Sequence, residues 1–414
     1  MSKPLEGVKV VEISMWAFVP SAGAVLAEWG ADVIKIEPPT GDPIRGLINA
    51  GVGPYEGIVF PWELWNRGKQ AIALDLANPA AQEIVLKLCE DADVLLTSYL
   101  PPSRAKLGFS EDAVRARNPK IIYACGSGQG YAGEEASKGG YDSISFWSRG
   151  TVSGSVTPAD YNRPVGMPAG AFGDSLSGMA LAGGISAALL RKARTGEGGF
   201  VDGALLSTAA WCMQMGTLGA AFMEAMGVQR PTPASGGSEM PPIVGPIANP
   251  LVANYKCSDG RWVALCMLQP DIYWQGLVHA IGRDDMLTDS RFAETAARWA
   301  NGYDFAVELQ TTFITEPLDH WRAVLATQKG QWDVVQIATD LPRDPQAIAN
   351  GFVQQVDYGN GKTLPLFTSP IHFDRTAPVL TKAPEFGEHT DALLASLGYD
   401  EDAIIDAKIN GAVI

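Results

Sequence analysis

Residues 7–36 read GVKVVEISMWAFVPSAGAVLAEWGADVIKI, and this stretch decides the fold. Val8–Ile13 is a short apolar, β-branched run, which predicts a strand. Ala22–Trp29 reads as a helix that Gly30 breaks, and Asp32–Ile36 is a second strand. The pattern continues outward. Ala71–Leu74 is a third strand. Asn78-Pro79 opens a helix through Glu90, with proline near the first turn and Ile84, Val85 and Leu88 on its apolar face. Val94–Thr97 is a fourth strand, Ser110–Ala116 a helix start and Ile121–Cys125 a fifth strand. Strands alternating with helices predict a doubly wound α/β domain, a parallel sheet covered on both faces.

Beyond it, residues 126–170 are rich in Gly, Ser and Tyr and read as loops around a site. A long helix is expected over Asp174–Lys192, closed by TGEGG at 195–199, then a strand at Phe200–Gly203 and a helical stretch to Met226. Residues 229–250 are dense in Pro, Gly and Ser and mark a linker or mobile loop. Asp259-Gly260 between the apolar runs of 254–268 predicts a hairpin, and helices follow it, so this stretch is the candidate small α+β domain.

The chain has 414 residues, enough for two domains, and a hydrophobic share of 46%, enough for a large core. Lys+Arg number 31 against 46 Asp+Glu, a net charge of −15. That field repels phosphate backbones and anionic membranes, so neither nucleic acid nor membrane is expected as a partner. An anionic small ligand needs locally placed cations. Five scattered cysteines form no CxxC pair and fit a reducing cytoplasm. The first residues lack the apolar core of a signal peptide, and no apolar run reaches the ~20 residues of a membrane span.

Four histidines, none paired at i,i+4, leave a metal site unsupported. Gly126-Ser127-Gly128-Gln129-Gly130 misplaces the third glycine of a dinucleotide fingerprint, and has glycine where a nucleophile elbow needs serine. Asp174 is different. It lies between a glycine-rich loop (169–173) and the long helix, as an N-cap or, given its uncrowded neighbours, as a carboxylate nucleophile open to a substrate carbonyl.

Six ordered blocks carry a resemblance: GVKVVEIS with Pro20, WGADVIKIEPPTGDPIRG at 29–46, Asn66–Lys69, Gly140-Tyr141-Asp142 with GDSLSG at 173–178, DGRW at 259–262, and Gly387–Asp391. The chain resembles the class III coenzyme A transferases (CaiB/BaiF type), the family of formyl-CoA transferase and carnitine CoA-transferase. The resemblance implies a large α/β domain over 1–225, a small α+β domain over 226–330, and a segment 331–414 returning to the large domain. It also implies two chains interlocked as a homodimer. Its catalytic aspartate falls on Asp174, which passes through an aspartyl anhydride and an aspartyl-CoA thioester. Acyl-CoA is donor, a carboxylic acid is acceptor, and no tightly bound cofactor is needed.

Family contacts to coenzyme A carry over to Ala17, Phe18, Arg45, Leu74, Ala77, Ser98, Tyr99, Lys106, Lys138, Tyr141 and Asp142. Ala17 stands where the family often has glutamine. Gly236 and Gly237 match a flexible active-site loop, shortened here. The racemase branch of the same fold needs histidine where Tyr141 stands; tyrosine, with a reference pKa of ~10, is a poor base at neutral pH. Racemisation and non-catalytic binding of a CoA thioester remain the alternatives. Trp16, Trp62, Trp65 and Trp147 lie in site-lining segments of the family. Two of them facing the pocket would point to a bulky or aromatic acyl group.

Overall fold

Six parallel strands form the central sheet: β1 (Lys9–Ile13), β2 (Asp32–Glu37), β3 (Gln70–Ala73), β4 (Val94–Thr97), β5 (Ile122–Ser127) and β6 (Gly199–Ala204). Their order is β3-β2-β1-β4-β5-β6, with Val11 opposite Ile34 on one side and Leu95 on the other. The computed structural model describes residues 3–50, 57–158, 161–227, 249–359 and 361–414. β4 and β5 are buried along their whole length, as the unbroken apolar runs predict for strands covered on both faces. Successive side chains serve opposite faces. Val10, Val94 and Ile122 join one core, with α1 (Phe18–Glu28) against them. Val11, Leu95 and Tyr123 join the other, under α3 (Pro79–Glu90) and the C-terminal helices.

The chain divides into two compact units, Met1–Pro233 with Pro345–Ile414, and Ala234–Asp344. In the first unit the C-terminal segment is tied back by buried polar groups. Glu63 accepts the Ala383 N–H at 2.8 Å and the Tyr358 hydroxyl at 2.9 Å. Glu28 pairs with Arg67 at 2.8 Å and accepts the Ser369 N–H at 2.6 Å. Leu74 bridges Val413. In the second unit, β7 (Val252–Lys256) and β8 (Trp262–Cys266) make the hairpin, with Gly260 at φ 81° in its turn. β9 (Trp332–Val334) pairs with β8, beyond the boundary at 330 read from the sequence.

Helices between the strands complete the frame: α2 (Phe60–Asn66), α4 (Pro101–Lys106), α5 (Glu111–Arg117), α6 (Val152–Val156), α7 (Phe172–Thr195) and α8 (Leu205–Ala225). α1 is buried on every side, and its small residues let α7 approach closely. A Cβ on Gly178 of α7 would run into Ser21 and the Phe18 carbonyl. Gly178→Ala is therefore expected to lower stability by about 1–3 kcal/mol, read by denaturant unfolding.

Candidate active site

Strand order reverses between β1 and β4, and in open α/β sheets that switch point opens a crevice at the carboxyl ends of the strands. A cavity of about 330 Å³ lies there. The loops after β1 and β4 supply Trp16, Ser98 and Tyr99 to its wall, the start of α1 supplies Phe18, the end of β5 supplies Ser127, and the loop before residue 142 supplies Gly139, Gly140 and Tyr141. Asp174 faces into it from the first turn of α7. Of the sequence-predicted contacts the cavity thus gathers Phe18, Ser98, Tyr99, Tyr141 and Asp174.

Asp174 is not the N-cap that its place before the helix suggested. Ala171 caps α7 in a left-handed conformation (φ 58°), and Asp174 is the third helical residue. The capping carboxylate comes from elsewhere: Asp142 Oδ2 accepts the Gly173 N–H at 3.0 Å. Asp142 is buried at the start of a π-helical turn, Asp142–Ser148. Burial pushes its carboxyl up, while the N–H groups of Gly173 and Asp174 pull it down without fully compensating. Gly173 must be glycine, because a Cβ would strike the Phe146 ring and the Asp142 carboxylate.

The Asp174 carboxyl is pushed up to about 7, by burial first and by the neighbouring Asp142 second. A helix N-terminus stabilises negative charge by only ~0.3–1 kcal/mol, so desolvation wins here. Near neutral pH this site holds a poorly solvated carboxylate in equilibrium with its acid. Such a group is a stronger nucleophile than an exposed aspartate, and the glycines at 126, 128, 139 and 140 leave its surroundings open.

The predicted cations lie off this wall. Arg45 is committed to buried Glu37, through Nε and Nη2 at 2.8 Å each, and stacks 3.4 Å over the Trp62 ring. Lys106 is exposed at the end of α4, and Lys138 pairs with exposed Glu135 at 2.7 Å. Leu74 is buried and Ala77 exposed, beside the bridge to Val413, and Ala17 is buried just before α1. Gly236 and Gly237 lie outside the described residues. Of the four tryptophans only Trp16 lines the cavity. Trp62 and Trp147 are core residues whose ring N–H groups donate to Pro384 O and Val165 O, and Trp65 packs against the same cluster as Trp62. Among the described residues no group of three or more His, Cys, Asp or Glu could hold a metal ion.

One feature escaped the sequence entirely. Beneath the loop after β1 lies a closed charge network. Lys35 Nζ meets Asp42 Oδ2 at 2.9 Å and Glu12 Oε1 at 3.2 Å, and Lys69 Nζ meets Glu12 Oε2 at 2.7 Å. All four side chains are fully buried or nearly so. Burial pushes the Lys69 ammonium down to about 7, although Glu12 opposes the shift. Burial also works against the Lys35 charge, but Asp42, Glu12 and Glu37 outweigh it and hold Lys35 above the usual lysine range.

A sequence model described as "CoA-transferase family III" matches residues 5–390. The chain belongs to that family. This CoA-transferase is 34% identical over 408 residues to the (R)-2-hydroxy-4-methylpentanoate CoA-transferase of Clostridioides difficile, covering 98% of each chain. It is 29% identical over 406 residues to the cinnamoyl-CoA:phenyllactate CoA-transferase of Clostridium sporogenes, covering 96% of this chain and 94% of that one. Among solved structures, a CaiB/BaiF family protein from Brucella suis superposes with a TM-score of 0.79 at 26% identity, covering 96% of this chain and all of that one. The CoA-transferase is thus an enzyme of the α/β fold that its sequence announces.

Proposed function

We propose that the enzyme moves coenzyme A from an acyl-CoA thioester to a carboxylic acid through covalent intermediates on Asp174. The observation that carries this reading is the half-buried Asp174 carboxyl, raised to about 7 inside the switch-point cavity. The ionised carboxylate attacks the thioester carbonyl. The C–S bond breaks, CoA thiolate leaves, and a mixed anhydride remains on Asp174. The thiolate then attacks the aspartyl carbonyl carbon, releasing the donor acid and leaving an aspartyl-CoA thioester. The acceptor carboxylate displaces the thiolate to form a second anhydride, and the thiolate attacks its acyl carbon, which frees Asp174. Bond making and breaking balance with coenzyme A as substrate and no other cofactor.

An acyl-CoA with an apolar chain suits a cavity walled by Trp16, Phe18, Tyr99 and Tyr141. The substrates for which the two relatives are named, (R)-2-hydroxy-4-methylpentanoate in one and cinnamoyl-CoA with phenyllactate in the other, support the same class. Arg45, Lys106 and Lys138 remain proposed phosphate contacts; Arg45 and Lys138 would first have to leave Glu37 and Glu135. Incubation with acyl-CoA alone, followed by hydroxylamine and peptide mass spectrometry, is expected to give a hydroxamate on Asp174. A modified residue elsewhere, or none, would refute the covalent route.

We also propose a homodimer, interlocked and cytoplasmic. α8 exposes Trp211, Met215, Leu218 and Phe222, spaced 4, 3 and 4 residues apart along one face. An apolar stripe of that size on a free monomer would be an association site. All five cysteines are free, as a reducing compartment would keep them. Sedimentation is expected to give twice 44.0 kDa, and Phe222→Asp to shift the protein toward monomer or aggregate. A monomeric wild-type enzyme at micromolar concentration would rule the dimer out.

A further inference from the structure

Trp16 has an unusual backbone. Its φ of 69° lies in the left-handed region, where a bulky residue is strained. Strain of this kind persists where the surroundings over-determine it, and it clusters at functional sites. Three contacts hold the turn. The Met15 N–H donates to Ser98 Oγ at 3.1 Å, the Trp16 N–H donates to Asp42 Oδ1 at 3.1 Å, and Lys35 Nζ donates to the Ser14 carbonyl at 2.8 Å. Asp42 and Lys35 are in turn locked into the buried charge network with Glu12. Four buried charges are a large investment for one loop. What the loop delivers is an indole set edge-on to the Tyr141 ring at 6.0 Å, on the wall of the cavity that holds Asp174.

We propose that Trp16 is the specificity-determining residue for the acyl group, the surface on which an apolar acyl chain packs and which keeps water from the acylated Asp174. This inference rests on the Asp174 reading above. The indole shares the cavity with the carboxylate, so a chain bonded there must lie against the aromatic wall or point away into solvent. Apolar contact of this size discriminates between substrates by roughly 10- to 200-fold. The same contact displaces water from the anhydride, whose hydrolysis would waste the donor.

The test uses the full-length enzyme, a branched six-carbon acyl-CoA, acetyl-CoA and one acceptor acid. In Trp16→Ala the ratio of kcat/KM for the six-carbon donor over acetyl-CoA is expected to fall about 10- to 100-fold, and acceptor-free hydrolysis per transfer to rise. Trp16→Phe should keep most of the ratio. Equal losses for both donors, or an unchanged ratio, would overturn the proposal, because a merely structural residue does not choose between donors. Asp174→Asn separates the two readings. If it still transfers, the underlying mechanism fails; if it is dead while the Trp16→Ala ratio stays flat, only this inference fails. Backbone strain has its own readout: Trp16→Gly should melt above Trp16→Ala, reversing the usual order, since glycine tolerates φ near +69°. The usual order would dismiss the strained-turn account.

Discussion

Asp174→Asn is expected to abolish CoA transfer, by at least about 10⁴-fold, while CoA still binds. Asparagine keeps the shape, but its neutral amide is no nucleophile and cannot take up the acyl group. The pH behaviour makes the prediction sharper. The carboxyl titrates near 7, so kcat/KM of the wild-type enzyme should climb as pH rises through about 7 and then level off. Stability runs the other way. The native state binds this proton more tightly than the unfolded chain, in which an aspartate titrates near ~3.9. Its contribution is therefore full below about 4 and is lost as pH rises through about 7. The asparagine variant escapes that loss, and at pH 8 it should be more stable than wild type by about 2 kcal/mol, allowing for the partial exposure of the site. Thermal melts of both proteins at pH 5 and pH 8 check this. A variant no more stable at pH 8 would mean that Asp174 is not desolvated.

Glu12→Gln is the second large effect, expected to cost about 3–5 kcal/mol. Glu12 is the carboxylate that meets both Lys35 and Lys69, and its loss leaves these two buried amines with Asp42 and the more distant Glu37 as their remaining anions. Lys69 supplies the pH signature. Its proton is bound less tightly in the native state, near 7, than in the unfolded chain, near 10.5. The penalty is absent above about 10.5, grows as pH falls and levels off once Lys69 is protonated below about 7. Without Glu12 the native value drops further, so the penalty keeps growing in the variant after it has levelled in wild type. The stability gap should therefore widen between pH 8 and pH 6. Urea titrations at both values measure it, and a constant gap would show that Lys69 does not titrate in this network.

Strand boundaries and side-chain convergence differ in how legible they are in the sequence. β1, β2, β4 and β5 sit within a residue or two of their apolar runs, because a strand buried on both faces writes its own boundary. The Asp259-Gly260 turn was equally plain. Asp174 stands out by its place between glycines and a helix, and of the two roles open to it there the cap is not the one it takes. The cap is Ala171, and the carboxylate bonded to the helix end is Asp142, 31 residues before the Gly173 N–H that it accepts. A pairing across that distance leaves no spacing pattern. The tryptophans show the same limit: four stood in suggestive segments and one reaches the cavity, since an indole reads alike in core and in wall.

Local order along the chain was enough to establish the α/β class, the hairpin of the small unit, the family and the aspartate on which the chemistry is proposed to turn. These follow from periodicity, turn residues and ordered motifs, all short-range properties of a polymer. The folded chain alone decided that Lys35, Lys69, Glu12 and Asp42 would meet beneath one loop, that Arg45 would be held by Glu37, and that burial would lift Asp174 to about 7. Solvation and charge pairing depend on which distant segments converge, and convergence is a property of the whole fold.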